Sequence, residues 1–152
     1  MRFTKMEGLG NDYIYLNCLS HRPPDPAGLA VRLSDRHFGV GADGLICVCP
    51  GRRGDFAMEM YNADGSRGKM CGNGIRCLGK YVYDKGLTRR TSLQVDTDSG
   101  LRALRLLPGP AGIGQVEVDM GEPSVFPQIS IPLMELTYSV MPVSMGNPHC
   151  IL

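Results

Sequence analysis

The sequence lacks an excess of charge of either sign. Its 152 residues include 16 Lys and Arg against 15 Asp and Glu, a formal net charge of +1. Proteins that bind nucleic acid usually carry a strongly basic surface, so this balance supports neither nucleic acid nor a membrane surface as a partner. With 43% hydrophobic and 20% charged residues, the composition is typical of a globular chain with one core, or with one domain and part of another.

The N-terminus lacks a continuous apolar segment. Charged and apolar residues alternate through the first eight positions, M-R-F-T-K-M-E-G. A secretory signal and a membrane-spanning helix both need an uninterrupted apolar stretch, so the sequence predicts neither. We therefore expect a cytoplasmic protein with no membrane partner.

The chain has six cysteines but lacks the spacings that mark disulfide frameworks and zinc sites. Without a secretory segment, a disulfide framework is not expected. No C-x2-C pair occurs: Cys47 and Cys49 are separated by one residue, and Cys71 and Cys77 by five. No set of four ligands can be read from these positions, so the sequence predicts no metal site.

The chain is organised around the segment from Tyr61 to Gly86. Turn-forming residues fill its first part. From about Gly74 onward, apolar residues recur at three- and four-residue steps, the period of one helix face, at Ile75, Leu78, Tyr81 and Val82. The spacing predicts a helix over about 73–85 that is ended by Gly86, a residue that readily adopts the left-handed conformation of a helix stop.

Cys71 comes directly before the first turn of this predicted helix. The first N–H groups of a helix have no intrahelical acceptor and lie at the positive end of its dipole, a setting that favours a thiolate and attracts a carboxylate. The alternative is that this cysteine is a small buried hydrophobe. Gly72 and Gly74 beside it favour close approach of a ligand to the backbone, and Cys77, inside the helix, is the better candidate for a packed thiol.

The segments on both sides of the central helix have strand patterns. A strand pair with a Gly/Asn/Asp turn precedes a short helix over Pro26–Arg36. Asn11, in that turn, is either a turn residue or a ligand contact. The predicted strands are Arg2–Gly8, Tyr13–Cys18, Leu45–Cys49, Phe56–Tyr61, Ser92–Thr97, Leu101–Leu107 and Gly114–Met120.

This order predicts an α+β fold in which a curved, mostly antiparallel sheet wraps around the central helix. We expect this lobe to occupy residues 1–122. The proline-rich segment that follows reads as a linker, and strand patterns then resume, so residues 123–152 are predicted to be a linker and the first strands of a second lobe.

Gly39, Gly41 and Gly44 match G-x-G-x-x-G, a pattern of dinucleotide-binding sites. That site needs a strand before the glycines and a helix after them, whereas here a predicted helix precedes and a β-branched strand follows. We therefore interpret the glycines as part of a tightly packed loop. His37 and Asp43 in this loop are candidates for loop-fixing hydrogen bonds as much as for catalysis.

Several segments together resemble diaminopimelate epimerases. The stretch Y-N-A-D-G-S, followed by M-C-G-N-G-I-R-C around Cys71, is similar to the active-site signature of that family. The segments at 3–13, 36–44, 118–123 and 144–150 follow the same family in order, so the resemblance covers the whole chain. The family has two similar lobes, each a curved sheet around a central helix, with the active site between them. The resemblance implies that this chain is one lobe of a two-lobed epimerase fold, with the opening strands of the second.

The resemblance also implies an activity, the cofactor-independent epimerisation of LL-diaminopimelate to the meso form in lysine biosynthesis. Two cysteines on opposite faces of the α-carbon act as acid and base, and Cys71 matches the first of them. The backbone N–H groups of Gly72 and Asn73 match the positions that bind the α-carboxylate, and His149 matches a residue beside the first cysteine. Contacts with the substrate are implied at Asn11, Asn62 and Asn147.

The chain departs from the family pattern in several places. The second cysteine loop does not occur within the 152 residues, which implies a missing C-terminal lobe and predicts that this chain alone is inactive. Gly44 stands where some members have glutamine, and Arg67 where an acidic residue is common. The apolar residues after Pro132 have no visible remainder of a sheet to join, so we expect a homodimer.

Two further interpretations stay open at the level of the sequence. One is a proline racemase-like or phenazine-biosynthesis-like isomerase on the same fold. The set of asparagines favours diaminopimelate, because a substrate with two amino-acid ends needs polar groups at both. The other is a non-catalytic binding lobe, if the gene ends at residue 152.

Overall fold

The computed structural model describes residues 1–110, 112–145 and 148–152, which form two compact units, Met1–Asp119 and Met120–Leu152. The elements of the first unit, in chain order, are β1 (Thr4–Gly8), β2 (Asn11–Asn17), α1 (Pro26–Ser34), β3 (Gly44–Pro50), β4 (Phe56–Asn62), β5 (Arg67–Gly68), α2 (Gly72–Asp84), β6 (Ser92–Thr97), β7 (Gly100–Gly109) and β8 (Gly112–Val118). Within the described part of the chain, no helix has the length and hydrophobicity needed to cross a membrane.

The strands of the first unit form one eight-stranded sheet in the order β1-β2-β3-β4-β6-β7-β8, with β5 paired to β4. Neighbouring strands are antiparallel except for the β2–β3 and β4–β6 pairs, which are parallel. The helix α2 contacts both edge strands, β1 and β8, and also β2 and β7. One helix can touch both edges only when the sheet curls around it. The predicted α+β lobe, with a curved and mostly antiparallel sheet around a central helix, is therefore confirmed.

One face of α2 fills the inside of this curl. Ile75, Leu78 and Val82 are completely buried and Tyr81 is 5% exposed, and they pack against side chains from the inner face of the sheet. Burying each such side chain contributes about 1.5–3 kcal/mol. The helix ends with Gly86 in the left-handed conformation, at φ 67°, as the sequence predicts.

The helix α1 lies on the opposite face of the sheet, against β3 and β4. It begins at Pro26, and the carboxylate of Asp25 caps it by accepting the N–H of Gly28 at 2.8 Å. It ends at Ser34 rather than at the predicted Arg36. The reason is local: the carboxylate of the next residue, Asp35, accepts the N–H groups of residues 37 and 38 and turns the chain out of the helix.

The second unit is a small antiparallel sheet. Its elements are β9 (Ser124–Val125), β10 (Ile129–Leu133), β11 (Leu136–Ser144) and β12 (Pro148–Ile151). The long strand β11 pairs with the other three. The segment expected to be a linker thus contains β9 and β10. Among the described side chains of this unit, only Val140 and Val143 are buried.

Candidate active site

The β1–β2 turn, the start of β3 and the end of β4 meet at one edge of the curved sheet. Tyr13 in β2 opposes Gly44 in β3, which in turn opposes Asn62 in β4. Adjacent strands are about 4.8 Å apart, so this row brings Asn62 to about 10 Å from Tyr13. Asn11 lies at the same edge, where it opposes Gly8 across the turn.

Cys71 is the N-cap of α2. Its backbone is extended (φ −130°, ψ 119°), and its carbonyl accepts the N–H of Ile75 at 2.8 Å. Its sulfur accepts the N–H of Gly74 at 3.3 Å. The helix begins at Gly72, one residue before the predicted start. The cysteine therefore occupies the position directly before the first turn, as the sequence analysis expects.

The side chain of Asn11 contacts the same sulfur. Its Nδ2 donates a hydrogen bond to Cys71 Sγ over 3.4 Å. The sequence implied a substrate contact for Asn11, and the structure adds a partner in the protein. An amide NH2 has two hydrogens and its carbonyl oxygen accepts, so Asn11 keeps polar capacity for a ligand.

Tyr13 is a member of this cluster that the sequence analysis missed. Its side chain is 5% exposed and packs in the inner core with Ile75, and its hydroxyl lies beside the Cys71 sulfur and the Asn11 amide. Burial, followed by the charge of Cys71, raises the pKa of Tyr13 to about 12. One signal was available: side chains two residues apart on a strand share a face, so a role for Asn11 also points to Tyr13.

The first two amides of α2, those of Gly72 and Asn73, adjoin Cys71. Helix geometry leaves these N–H groups without an intrahelical acceptor. The Asn73 side chain is engaged elsewhere, because its Oδ1 accepts a hydrogen bond from Arg76. The backbone N–H of Asn73 is thus available beside the cysteine, whereas its side-chain oxygen is already bonded.

Asn62 closes the turn that follows β4. Its Nδ2 donates to Ser66 Oγ at 2.9 Å, and its N–H donates to the Ser66 carbonyl at 2.9 Å. The carboxylate of Asp64 accepts the N–H of Ser66 at 2.8 Å and also its hydroxyl. Asn62 therefore fixes the loop that leads to the cysteine, and it does so at the same sheet edge as Asn11.

A carboxylate pair holds the start of β2 to the start of β3. The N–H of Asp12 donates to Asp43 Oδ2 at 3.0 Å, and the N–H of Asp43 donates to the Asp12 carbonyl at 2.8 Å. Arg36 binds both carboxylates, at 2.8 and 2.9 Å. The hydrogen bond from Arg36, with further help from Lys5, holds the pKa of Asp12 well below its usual range despite burial. Asp43 is thus a loop-fixing residue, one of the two roles that the sequence allowed.

Arg67 anchors the segment that precedes Cys71. Its Nε and Nη2 bind the two carboxylate oxygens of Asp98 at 2.6 and 3.2 Å, and its Nη1 donates to the Tyr61 hydroxyl at 2.7 Å. The guanidinium also lies 5.0 Å from the centre of the Tyr61 ring. Arg67 thus forms a bidentate ion pair that ties this segment to the β6–β7 turn.

Gly44 lies where a side chain cannot fit. A Cβ at this position would be 2.2 Å from the Tyr61 carbonyl oxygen and 2.9 Å from Cε1 of Tyr13. The neighbouring strand therefore excludes a glutamine-like contact from this backbone position. The tight packing against another backbone that the sequence predicts for this glycine is confirmed, but Gly44 is the first residue of strand β3 rather than part of a loop.

Cys77, the other cysteine near the start of α2, is packed inside the lobe and not placed at the end of the helix. Cys77 is buried in α2, its thiol donates to the Glu7 carbonyl at 3.4 Å, and burial raises its pKa. Over residues 1–110, 112–145 and 148–152, no group of three or more His, Cys, Asp or Glu side chains is arranged to hold a metal ion.

Two of the implied site residues belong to the segment after residue 119. His149 lies in β12, opposite Val143 of β11. Asn147 lies outside the described residues. The residues that the structure brings together around one atom are therefore Asn11, Tyr13, Cys71 and Gly74.

Comparison with known proteins adds to this geometry. Residues 3–126 match the sequence model of the family described as diaminopimelate epimerase. The diaminopimelate epimerase of Acetivibrio thermocellus is 46% identical over 165 residues, which cover 99% of this chain and 59% of that protein. The diaminopimelate epimerase of Agathobacter rectalis is 44% identical, with 100% of this chain and 60% of that protein covered.

The solved structures show the same architecture at low identity. A hydroxyproline epimerase from Agrobacterium vitis with bound trans-4-hydroxy-L-proline superposes with a TM-score of 0.74 at 14% identity, over 97% of this chain and 50% of that one. Identity this low shows a shared fold alone. This chain spans about 60% of the length of the curated relatives that it matches. The match to the family model over residues 3–126 shows that the chain belongs to the diaminopimelate epimerase family.

Proposed function

We propose that this chain carries one half of the active site of an amino-acid epimerase, with Cys71 as one of two cysteine bases. The observation that carries this proposal is the environment of the Cys71 sulfur, which accepts hydrogen bonds from Asn11 and from the N–H of Gly74. N–H donors bind an anion more strongly than a neutral acceptor. The thiolate is the reactive form of a cysteine, so these donors support a role in proton transfer.

The proposed reaction interconverts LL-diaminopimelate and meso-diaminopimelate without a cofactor. One base removes the α-proton from one face of the carbon, and an acid delivers a proton to the opposite face. At Cys71 the Sγ–H bond forms as the Cα–H bond breaks, and the electron pair stays on the substrate. We propose that the second cysteine lies in the part of the relatives' length that this chain does not span.

The backbone at the start of α2 is suited to the substrate carboxylate. The N–H groups of Gly72 and Asn73 have no intrahelical acceptor, and the positive end of the helix dipole favours an anion there. A carboxylate held at these amides lies next to the cysteine, so the α-carbon is close to the sulfur. The same donors stabilise negative charge as it develops when the proton leaves.

The polar side chains carried over from the family pattern complete the proposed substrate site. Amide groups can donate to a carboxylate and accept from an ammonium group, which suits the distal end of diaminopimelate. We propose that Asn11, Asn62 and Asn147 make such contacts. We also propose that His149 exchanges a proton with Cys71, since an imidazole can act as a general acid or base.

We further propose a second lobe and a second copy of the protein as partners, in the cytoplasm. In this proposal, residues 1–122 are the first lobe and residues 123–152 begin the second. Exposed apolar side chains after residue 119 support association, among them Leu133 and Leu136, each 61% exposed. Light scattering after size-exclusion chromatography tests this: a dimer has twice the 16.5 kDa mass of the chain, and a strictly monomeric chain contradicts it.

Isotope exchange tests the assignment of Cys71. We expect the 152-residue chain, incubated with LL-diaminopimelate in D2O, to exchange the α-proton slowly with retained configuration, as read by mass spectrometry and chiral chromatography. Cys71→Ala should abolish this exchange, and the matched Cys77→Ala should retain it. Exchange that persists without the Cys71 thiol contradicts the proposal, and so does conversion to the meso form by the wild-type chain alone, because one base cannot serve both faces.

A further inference from the structure

We propose that Asn11 and Tyr13 are positioning residues that hold the Cys71 thiolate by donating hydrogen bonds to its sulfur. The proposal rests on the role given above to Cys71 and adds side chains of β2 to it. The two residues share one face of the strand because they are two positions apart. Strand β2 would thus supply donors to a thiolate that helix α2 carries at its N-cap.

The geometry of Asn11 is direct. Its Nδ2 lies 3.4 Å from Cys71 Sγ, a normal separation for a hydrogen bond to sulfur. The start of β2, on which Asn11 stands, is fixed by the exchange of backbone and carboxylate hydrogen bonds between Asp12 and Asp43. The amide therefore reaches the sulfur from a rigid strand rather than from a loose loop.

The geometry of Tyr13 is set by confinement. The side chain is 5% exposed, and Gly44 on the neighbouring strand leaves so little room that a Cβ there would be 2.9 Å from the ring atom Cε1. The ring is packed in the inner core of the lobe, and its hydroxyl interacts with the Cys71 sulfur. Because the pKa of Tyr13 is raised to about 12 by burial and by Cys71, the phenol keeps its proton near neutral pH and can act as a donor.

Together with the N–H of Gly74, these groups surround the sulfur with donors. The titratable groups whose charges or hydrogen bonds affect one another in this cluster are Tyr13, Tyr15 and Cys77. The Asp43 carboxylate also raises the pKa of Tyr13. Burial raises the pKa of Tyr13, Tyr15 and Cys77, so these three groups are neutral near pH 7, and the Asp43 carboxylate is bound by Arg36. The donors to the sulfur are therefore positioned to oppose the cost of a partly buried thiolate.

Tyr15 provides a matched comparison on the same strand. It is two positions beyond Tyr13, on the same face, and is completely buried. Its hydroxyl donates to the Gly74 carbonyl at 2.9 Å and not to the sulfur. Tyr13→Phe and Tyr15→Phe thus remove the same atom from neighbouring buried sites, and only the first removes a donor to Cys71.

The experiment compares the rate at which iodoacetamide alkylates Cys71 from pH 5.5 to 10, read by peptide mass spectrometry on the 152-residue chain. We expect Tyr13→Phe to slow the reaction at pH 7 by about tenfold, as the loss of one hydrogen bond to a charged group does, and to move the midpoint of the pH profile upward. Tyr15→Phe should leave the profile in place even though it lowers the unfolding temperature.

A second variant keeps the test decisive if Tyr13→Phe folds poorly. Asn11→Asp is nearly isosteric and replaces the donor with a carboxylate, so it should move the profile to higher pH by at least as much. The proposal is overturned if the variants at residues 11 and 13 leave the profile unchanged, or if Tyr15→Phe moves it equally. Since no substrate is present, a shifted profile combined with absent isotope exchange would reject the proposed function and leave this proposal standing.

Discussion

The side-chain nitrogen of Asn11 lies 3.4 Å from the sulfur of Cys71, although sixty positions separate the two residues. The contact joins the start of a strand to the start of a helix, and it gives the cysteine a donor from outside its own helix. The helix supplies a second donor, the N–H of Gly74. The candidate base is therefore held by a strand and a helix together.

Alkylation should distinguish Cys71 from Cys77. Burial raises the pKa of Cys77, whose thiol is also bound to a backbone carbonyl, whereas Cys71 is half-buried at a helix N-cap. Near neutral pH we expect Cys71 to react at least about tenfold faster, because alkylation requires the thiolate. Peptide mass spectrometry after brief exposure to iodoacetamide measures both rates. Cys150 is exposed, so Cys150→Ser serves as the control, and equal rates at residues 71 and 77 would refute the prediction.

The Asp12 carboxylate should stabilise the fold in a pH-dependent way. Its pKa is lowered in the folded state, chiefly by the hydrogen bond from Arg36, so the unfolded chain binds the proton more readily. The contribution is therefore complete above the unfolded pKa of about 4 and is lost as the pH falls below it. Asp12→Asn should lower the free energy of unfolding by about 1–3 kcal/mol at pH 7 and by less near pH 3, because the contribution declines gradually between the unfolded pKa and the lowered folded pKa. Urea denaturation at the two pH values measures this, and a loss that does not depend on pH contradicts it.

Gly44→Ala should destabilise the first unit. The new Cβ would lie 2.2 Å from the Tyr61 carbonyl oxygen, and a backbone atom of a central strand pair cannot move aside freely. We expect a loss of about 2–3 kcal/mol in urea denaturation. In the control, Gly8→Ala, the nearest atom to the Cβ is the Cys77 sulfur at 3.2 Å, so the loss should be about 1 kcal/mol or less. Similar losses in both variants would show that the strand spacing at Gly44 is not the cause.

The ion pair of Arg67 with Asp98 should contribute measurably to stability. It is bidentate, with side chains 37% and 41% exposed. A double-mutant cycle to alanine should give a coupling free energy of about 1 kcal/mol that falls with added salt. The more exposed pair of Arg105 with Glu117, at 66% and 53% exposure, is the matched control and should give about 0.3 kcal/mol. Coupling no larger than in the control would mean that Arg67 does not anchor the segment before Cys71.

The sequence by itself determined the features that act over a few residues. The three- and four-residue spacing of Ile75, Leu78 and Val82 specified the central helix and its buried face, because a helix repeats every 3.6 residues. The position of Cys71 before the first turn followed from the same period. The hairpin of β1 and β2 followed from its Gly/Asn/Asp turn, which favours the backbone conformations of a tight connection.

The tertiary structure alone decided which distant residues meet. The pairing of β4 with β6, in addition to its chain neighbours β3 and β5, depends on how the sheet closes around α2. No local pattern encodes the contact of Asn11 with Cys71 or that of Arg67 with Asp98, because each depends on strand order and register. Helix period and capping depend on neighbouring residues, so the sequence alone predicted the position of Cys71. Strand pairing brings together residues that are far apart in the chain, and its register depends on which face is buried. The donors from β2 could therefore not be predicted from the sequence.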